Sequence, residues 1–288
     1  RRKFYRILSK KQLIRFFFKP AINYLCHILI WQMAKRSEDF RVVNIKYLNE
    51  LHFILELEGT KPLPEIKPGQ FAQIRIDNSK NTFLRRPFSI HDVDYAGNRL
   101  KFLIRAIGDG TRTLGTIAEN RMVNLIYPLG NSFSLPLPRE KVLLVGGGCG
   151  IAPLLYLAKF MNRSGVVPDI LLGFRNSKSI MESDEYSKTG RLFIITEDGS
   201  EGEKGLVTGH TIMKDLGAYG RVFCCGPEPM MKAVAELAKA SGTECEVSLE
   251  NMMACGIGVC LCCVVKSSRG NVCTCTDGPV FNIKDLQW

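Results

Sequence analysis

Lys141-Val142-Leu143-Leu144-Val145-Gly146-Gly147-Gly148-Cys149-Gly150 is an apolar run that ends in four glycines within five residues. A run this uniformly apolar reads as a strand buried on both faces, as in a parallel sheet. Residues 151–162 continue with helical spacing, so Gly146, Gly147, Gly148 and Gly150 place bare N–H groups at a helix start, where a pyrophosphate can bind. The run does not match G-x-G-x-x-G, and no acidic residue stands at the ribose position. A plain strand-to-helix turn fits it as well.

Further apolar strands are expected at residues 169–173, 191–195 and 221–225, with a helix over 230–240. Strands alternating with helices give a doubly wound parallel sheet. Cys225-Gly226-Pro227 then falls at the carboxyl edge of that sheet, where open α/β sheets bind ligands. A lone cysteine there also fits as a small buried residue.

Working back from Lys141, Pro136-Leu137-Pro138-Arg139 reads as a linker, and residues 40–138 show short apolar alternations broken by turns. That pattern predicts a β-barrel or sandwich. Within it, Arg86-Pro87-Phe88-Ser89 puts Arg86 and Phe88 on one side of a strand, a cation for a diphosphate beside a surface for a flat ring. An ordinary barrel strand with a surface arginine reads the same way. Ile104-Arg105 and Gly108-Asp109-Gly110-Thr111 supply a second arginine and an anion-accepting loop.

Working forward, six of the 11 cysteines lie in the last 34 residues. Cys255, Cys260, Cys263 and Cys275 have the spacing C-x4-C-x2-C-x11-C, which suits a [2Fe–2S] cluster on four thiolates. Gly256 and Gly258 let the backbone wrap close to the sulfides. Zinc also takes four thiolates, but its sites usually show two separated C-x2-C knuckles. Local clustering, with no cleavable signal peptide, points to a metal site in a reducing compartment, with the cytoplasm as default.

The net charge of +11 is local. Residues 1–32 hold eight Lys/Arg and no acid, and the remaining 31 Lys/Arg against 28 Asp/Glu leave +3. Nothing in the body matches a nucleic-acid-binding motif. The uncharged stretch 20–34 is too short and too polar for a membrane span. Residues 1–32 read as translated upstream sequence, a basic membrane-surface segment or a docked helix. Arg175 leaves NAD and NADP both open. His52, His91 and His210 read as isolated and structural.

Taken in order, RPFSI, GDGT, GGGxGxAPLL, CGPxPMM, the cysteine loop and Cys275-Thr276-Asp277-Gly278-Pro279-Val280-Phe281 resemble the electron-transfer subunits of dihydroorotate dehydrogenase B, within the ferredoxin–NADP reductase-like flavoproteins. The resemblance covers residues 33–288. It implies an FAD-binding β-barrel at 33–138, a nicotinamide-binding α/β domain at 139–246 and a cluster subdomain at 247–288, after an extension at 1–32. FAD would lie against Arg86, Pro87, Phe88 and Ser89, with Leu103, Ile104, Arg105, Gly110 and Thr111 completing its site. NAD would meet the glycine turn, Cys225, Gly226 and Pro227, with Cys225 in a catalytic position. Cys255, Cys260, Cys263 and Cys275 would ligate the cluster, leaving Cys262 and Cys273 as extra thiols. The implied partner is a catalytic FMN subunit in a heterotetramer, passing electrons through the cluster and FAD to NAD+ for pyrimidine biosynthesis. Phe88 stands where the wider superfamily has tyrosine. Other readings are a different iron–sulfur flavoprotein reductase, such as a ferredoxin:NADP or sulfide dehydrogenase subunit, and a zinc-stabilised binding module.

Overall fold

Strands β1 (Arg36–Tyr47), β2 (His52–Gly59), β3 (Phe71–Ile74), β4 (Arg86–Ser89), β5 (Asp92–Asp94), β6 (Arg99–Arg105) and β7 (Met122–Leu129) form one antiparallel sheet in the order β4-β3-β7-β1-β2-β6-β5. The computed structural model describes residues 35–288, so the expectations for residues 1–32 and the domain start at 33 lie outside the described residues. The first strand starts at Arg36, ahead of the Phe40 expected from sequence, because Ser37 and Asp39 face outward in alternation with Glu38, Phe40 and Val42, and Glu38 accepts from the Tyr127 hydroxyl. Alternation along the other strands sends Leu55, Leu57, Ile74, Phe102 and Leu125 to the same interior, and the sheet curls around them.

The second layer is the doubly wound sheet. Strands β8 (Val142–Gly147), β9 (Asp169–Phe174), β10 (Arg191–Thr196), β11 (Glu203–Lys204), β12 (Arg221–Cys225) and β13 (Glu244–Ser248) run parallel in the order β11-β10-β9-β8-β12-β13. Both faces of β8 are covered, which is why its sequence is apolar throughout. Val142 and Leu144 pack with Leu154, Leu157 and Ala158 of the helix Ala152–Arg163, whereas Leu143 and Val145 pack with Val234 and Ala235 of the helix Glu228–Ser241. Full burial of each large apolar side chain contributes roughly 1.5–3 kcal/mol. Pro153 starts the first helix without losing a needed donor, and Gly242, at φ 70°, ends the second in the left-handed conformation.

The C-terminal segment does not stand apart from this sheet. After the hairpin of β14 (Val264–Ser267) and β15 (Gly270–Cys273), β16 (Val280–Asn282) pairs antiparallel with β13 and closes the edge. Asn131, just after β7, donates to Asp277 O and Val280 O and accepts from Val280 N, tying this segment to the barrel.

Barrel and α/β layer share their cores. Tyr156 of the helix Ala152–Arg163 is buried in the barrel interior and donates to Ile66 O at 2.9 Å. Leu103 and Ile54 reach the other way. His91, buried, has Nδ1 2.8 Å from Ala152 O, and Lys159 pairs with Asp92 at 2.7 Å. Such contacts fix one half against the other, which a cleft between them requires. Among the described residues no helix is long and apolar enough to cross a membrane.

Candidate functional site

A cleft of about 930 Å³ opens at the carboxyl edge of the parallel sheet. One wall is barrel: Asn49, Glu50, His52 and Arg105. The other is the glycine turn 147–150, the end of β9 with the residues that follow it to 179, and Gly226-Pro227 after β12. The ends of β8 and β12 meet here so closely that only backbone fits between them. A Cβ on Gly150 would fall 2.4 Å from Gly226 Cα, and one on Gly147 would fall 2.4 Å from Met230 Sδ. Gly148 has φ 53° and nothing within 4 Å of its Cβ position, so its bare backbone faces open space. These features suit a dinucleotide phosphate. Arg105, Arg175 and Lys178 all line the cleft, and none of them forms an ion pair among the described residues.

The structure therefore brings Gly147, Gly148, Gly150, Gly226, Pro227 and Arg105 together. Cys225 is different: its side chain is almost wholly buried beneath Gly226, and burial pushes its thiol well above the usual range. Burial also raises the Cys149 thiol to about 12. Both remain protonated at neutral pH.

Two cleft residues have no sequence motif to announce them. Glu250 follows β13 into the cleft, and desolvation raises its carboxyl above the ordinary value although part of it stays accessible. His52 pairs with Arg105 across the β2–β6 ladder and lines the same wall, so it is not the isolated residue expected from sequence. Desolvation, then Arg105, lowers its pKa.

The flavin-side residues divide sharply. All four of Arg86, Pro87, Phe88 and Ser89 are half-buried on β4, at the sheet edge. The ladder places Arg86 opposite Ile74 and Phe88 opposite Ala72, on the barrel's interior face; Pro87 and Ser89 lie on the other. Arg85 is locked to Gln73 O, Asn124 O and Asn124 Oδ1, whereas among the described residues Arg86 donates only to the main-chain oxygens of Leu84 and Arg85. Arg86 is thus available to a ligand, and Phe83, three residues before it, is 93% exposed. An arginine without an ion pair among the described residues, on a strand preceded by an uncovered aromatic, suits a flavin diphosphate and its ring. Leu103 and Ile104 are both buried, packed into opposite cores, so only their backbone can meet a cofactor. Gly110 is buried too, since a Cβ would meet Ile76 and Thr82 at 2.9 Å; Thr111 Oγ1 accepts from the N–H groups of Ile107 and Gly108.

The cysteine loop wraps its thiols in backbone donors. Ile257 N and Cys260 N each donate to Cys255 Sγ at 3.4 Å, Gly258 N to Cys275 Sγ at 3.1 Å, and Cys275 N to Cys263 Sγ at 3.4 Å. Gly256 and Gly258, at φ 69° and 86°, make that wrapping possible. The Ile257 amide leads the groups that bring the Cys255 thiol down to about 6, while burial lifts Cys275 to about 12. Cys263 and Cys275 are buried against Phe71 and Leu129; Cys255 and Cys260 lie toward the surface. N–H···S donors to three of the four thiols suit an iron–sulfur cluster, so the residues fit the group. Cys262 is exposed and donates to Met252 O, while Cys273 lies in the hairpin, its N–H on Asp277 and its side chain packed with Cys263 and Cys275.

The fold and its two sites define a ferredoxin–NADP reductase-like iron–sulfur flavoprotein. Among solved structures, one described as an NADH-dependent reduced ferredoxin–NADP oxidoreductase, studied for flavin-based electron bifurcation, superimposes with TM-score 0.78 at 29% identity, over 86% of this chain and 90% of that one. A ferredoxin NADP+ reductase from Neisseria gonorrhoeae shares the fold, with TM-score 0.59 at 17% identity over 72% of this chain and 92% of that one. The family described as the iron–sulfur cluster binding domain of dihydroorotate dehydrogenase B matches residues 250–287. The dihydroorotate dehydrogenase B (NAD(+)) electron transfer subunit of Fusobacterium nucleatum is 40% identical over 229 residues, 76% of this chain and 86% of that one. Its counterpart from Lysinibacillus sphaericus is 37% identical over 252 residues, 85% and 96%. The chain belongs to the family of dihydroorotate dehydrogenase B electron transfer subunits.

Proposed function

We propose that this chain carries electrons from a separate dihydroorotate-oxidising FMN subunit to NAD+, in the making of pyrimidine nucleotides. The [2Fe–2S] cluster would be held by Cys255, Cys260, Cys263 and Cys275, FAD by the β4 strand with Arg86, and the nicotinamide nucleotide by the cleft. Bound FAD supplies the conversion between a hydride, two electrons at once, and the single electrons an iron–sulfur cluster passes. The protein's part is to bind and orient. Arg86 neutralises a diphosphate, Gly147 to Gly150 admit a second one against bare backbone, and Arg105 adds positive charge on the barrel wall.

One observation carries this reading. Cys263 and Cys275 share an apolar cluster with Phe71 of β3, and β3 pairs along its length with the flavin strand β4. On this reading the cluster and flavin sites rest on two adjacent strands of one sheet. NAD is the nucleotide named in the relatives. Free thiols at the cluster site suit a reducing compartment, and we assign the chain to the cytoplasm.

The experiment is to mix the purified chain with the catalytic subunit and follow dihydroorotate-dependent reduction of NAD+. Activity that needs both chains supports the proposal. A chain that never exchanges electrons with that subunit, yet passes them between ferredoxin and a nicotinamide nucleotide, supports the alternative reductase reading, which the 29%-identical structural neighbour favours.

A further inference from the structure

Gln73, in the middle of β3, has no accessible surface, and among the described residues neither its Nε2 nor its Oε1 has a hydrogen-bond partner. A buried amide left unpaired is destabilising, and a methionine of similar size would fill the space without that cost. A polar side chain kept under those conditions has a polar task.

The pleat fixes which way it faces. Ala72 and Ile74 point into the barrel core, while Phe71 and Gln73 point to the opposite face. Phe71 there packs against Cys263 and Cys275. The segment that meets Gln73 is the cysteine loop itself. A Cβ placed on Gly256 would lie 2.6 Å from Gln73 Cγ and 2.9 Å from its Nε2. Gly256 follows Cys255 directly, so the missing side chain at 256 makes the room that the amide occupies.

We propose that Gln73 is a positioning residue of the iron–sulfur site, its Nε2–H donating a hydrogen bond to a sulfur of the cluster held by Cys255, Cys260, Cys263 and Cys275. The inference rests on the cluster reading above and deepens it. It gives the barrel a direct polar contact with the cluster, from the strand that pairs with the flavin strand through Gln73 and Pro87. Hydrogen bonds to sulfur are among the factors that set a cluster's potential, and a donor favours the more negative, reduced state. Removing it lowers the midpoint.

Two measurements test this on the protein purified with its cofactors. First, Gln73→Met should retain iron, sulfide and FAD, and its cluster midpoint, read by redox titration of the reduced-cluster EPR signal, should fall. A tenfold change in the one-electron equilibrium corresponds to about 59 mV. Second, wild-type protein labelled with side-chain 15N-glutamine should show a resolved 15N coupling to the reduced cluster, and this experiment decides if Gln73→Met fails to assemble. A wild-type protein without iron and sulfide would refute the cluster reading itself. A normal wild-type cluster with no 15N coupling, or an unchanged midpoint in an intact Gln73→Met protein, would overturn the role of Gln73 alone; a trapped water bonded to the amide would give that result.

Discussion

Gly150, from the turn after β8, and Gly226, from the turn after β12, approach so closely that a Cβ on Gly150 would fall 2.4 Å from Gly226 Cα and 2.5 Å from its N. Both obstacles are backbone, so no rotamer change relieves them. Gly150→Ala should destabilise the fold by about 1–3 kcal/mol and weaken NADH binding, because it pries apart the two turns that floor the cleft. Gly209→Ala, with nothing within 4 Å of its Cβ position, should stay within about 0.5 kcal/mol of wild type. Denaturant unfolding and NADH titration of both variants check this.

Cys260→Ser should remove the cluster while FAD stays bound, since the flavin strand holds no cysteine. NADH-to-dye activity should survive and electron exchange with the catalytic subunit should vanish. Cys262→Ser should leave iron content near normal, because that thiol points to Met252 O. Iron and flavin per chain are the readouts. Normal iron in Cys260→Ser, or an empty site in Cys262→Ser, would overturn the choice of ligands.

Arg86→Ala should lower FAD retention. A charge-assisted hydrogen bond to phosphate contributes about 1.5–3 kcal/mol, a tenfold to hundredfold change in dissociation constant. Flavin per protein after gel filtration measures it. Arg85→Ala should instead loosen the fold, since Arg85 ties the segment before β4 to β3 and β7 through Gln73 O and Asn124.

Much of this was legible in the residues. The apolar run of β8, the glycine turn and the cysteine spacing are local patterns, and the run and its turn lie in the parallel sheet and at its carboxyl edge as the sequence led us to expect. Gln73 and Glu250 were not legible. A glutamine between Ala72 and Ile74 reads as an outward residue of a half-exposed strand, and only the cysteine loop folding onto that face, some 180 residues later, buries it. Glu250 enters the cleft because β13 ends there. Leu103 and Ile104 came from resemblance to a family, whereas strand alternation turns both side chains into cores. The return of β16 to the parallel sheet rests on three residues, too few for a pattern to announce.

Glu250 gives a pH signature. Its folded pKa is raised by desolvation above the reference value of 4.5, so the folded state holds a proton that the unfolded chain gives up. The stability it contributes is complete below pH 4.5 and is lost as pH rises through the folded value. Glu250→Gln stays neutral and removes that loss. The difference in unfolding free energy between wild type and Glu250→Gln should be flat below that pH, shift against the wild type above it, and then level off. Parallel curves across the whole range would show that the carboxyl titrates as in the unfolded chain.

The central claim is that one chain holds both a flavin and a two-iron cluster in electronic contact. The most direct measurement is the visible spectrum of the anaerobically purified protein, with iron, acid-labile sulfide and FAD determined on the same sample, before and after NADH. The account predicts a yellow-brown protein with iron and sulfide in equal amounts and FAD equimolar with the chain, whose flavin and cluster bands both bleach on adding NADH. A colourless protein carrying zinc, or a flavin that bleaches while a fully occupied cluster stays oxidised, would contradict it.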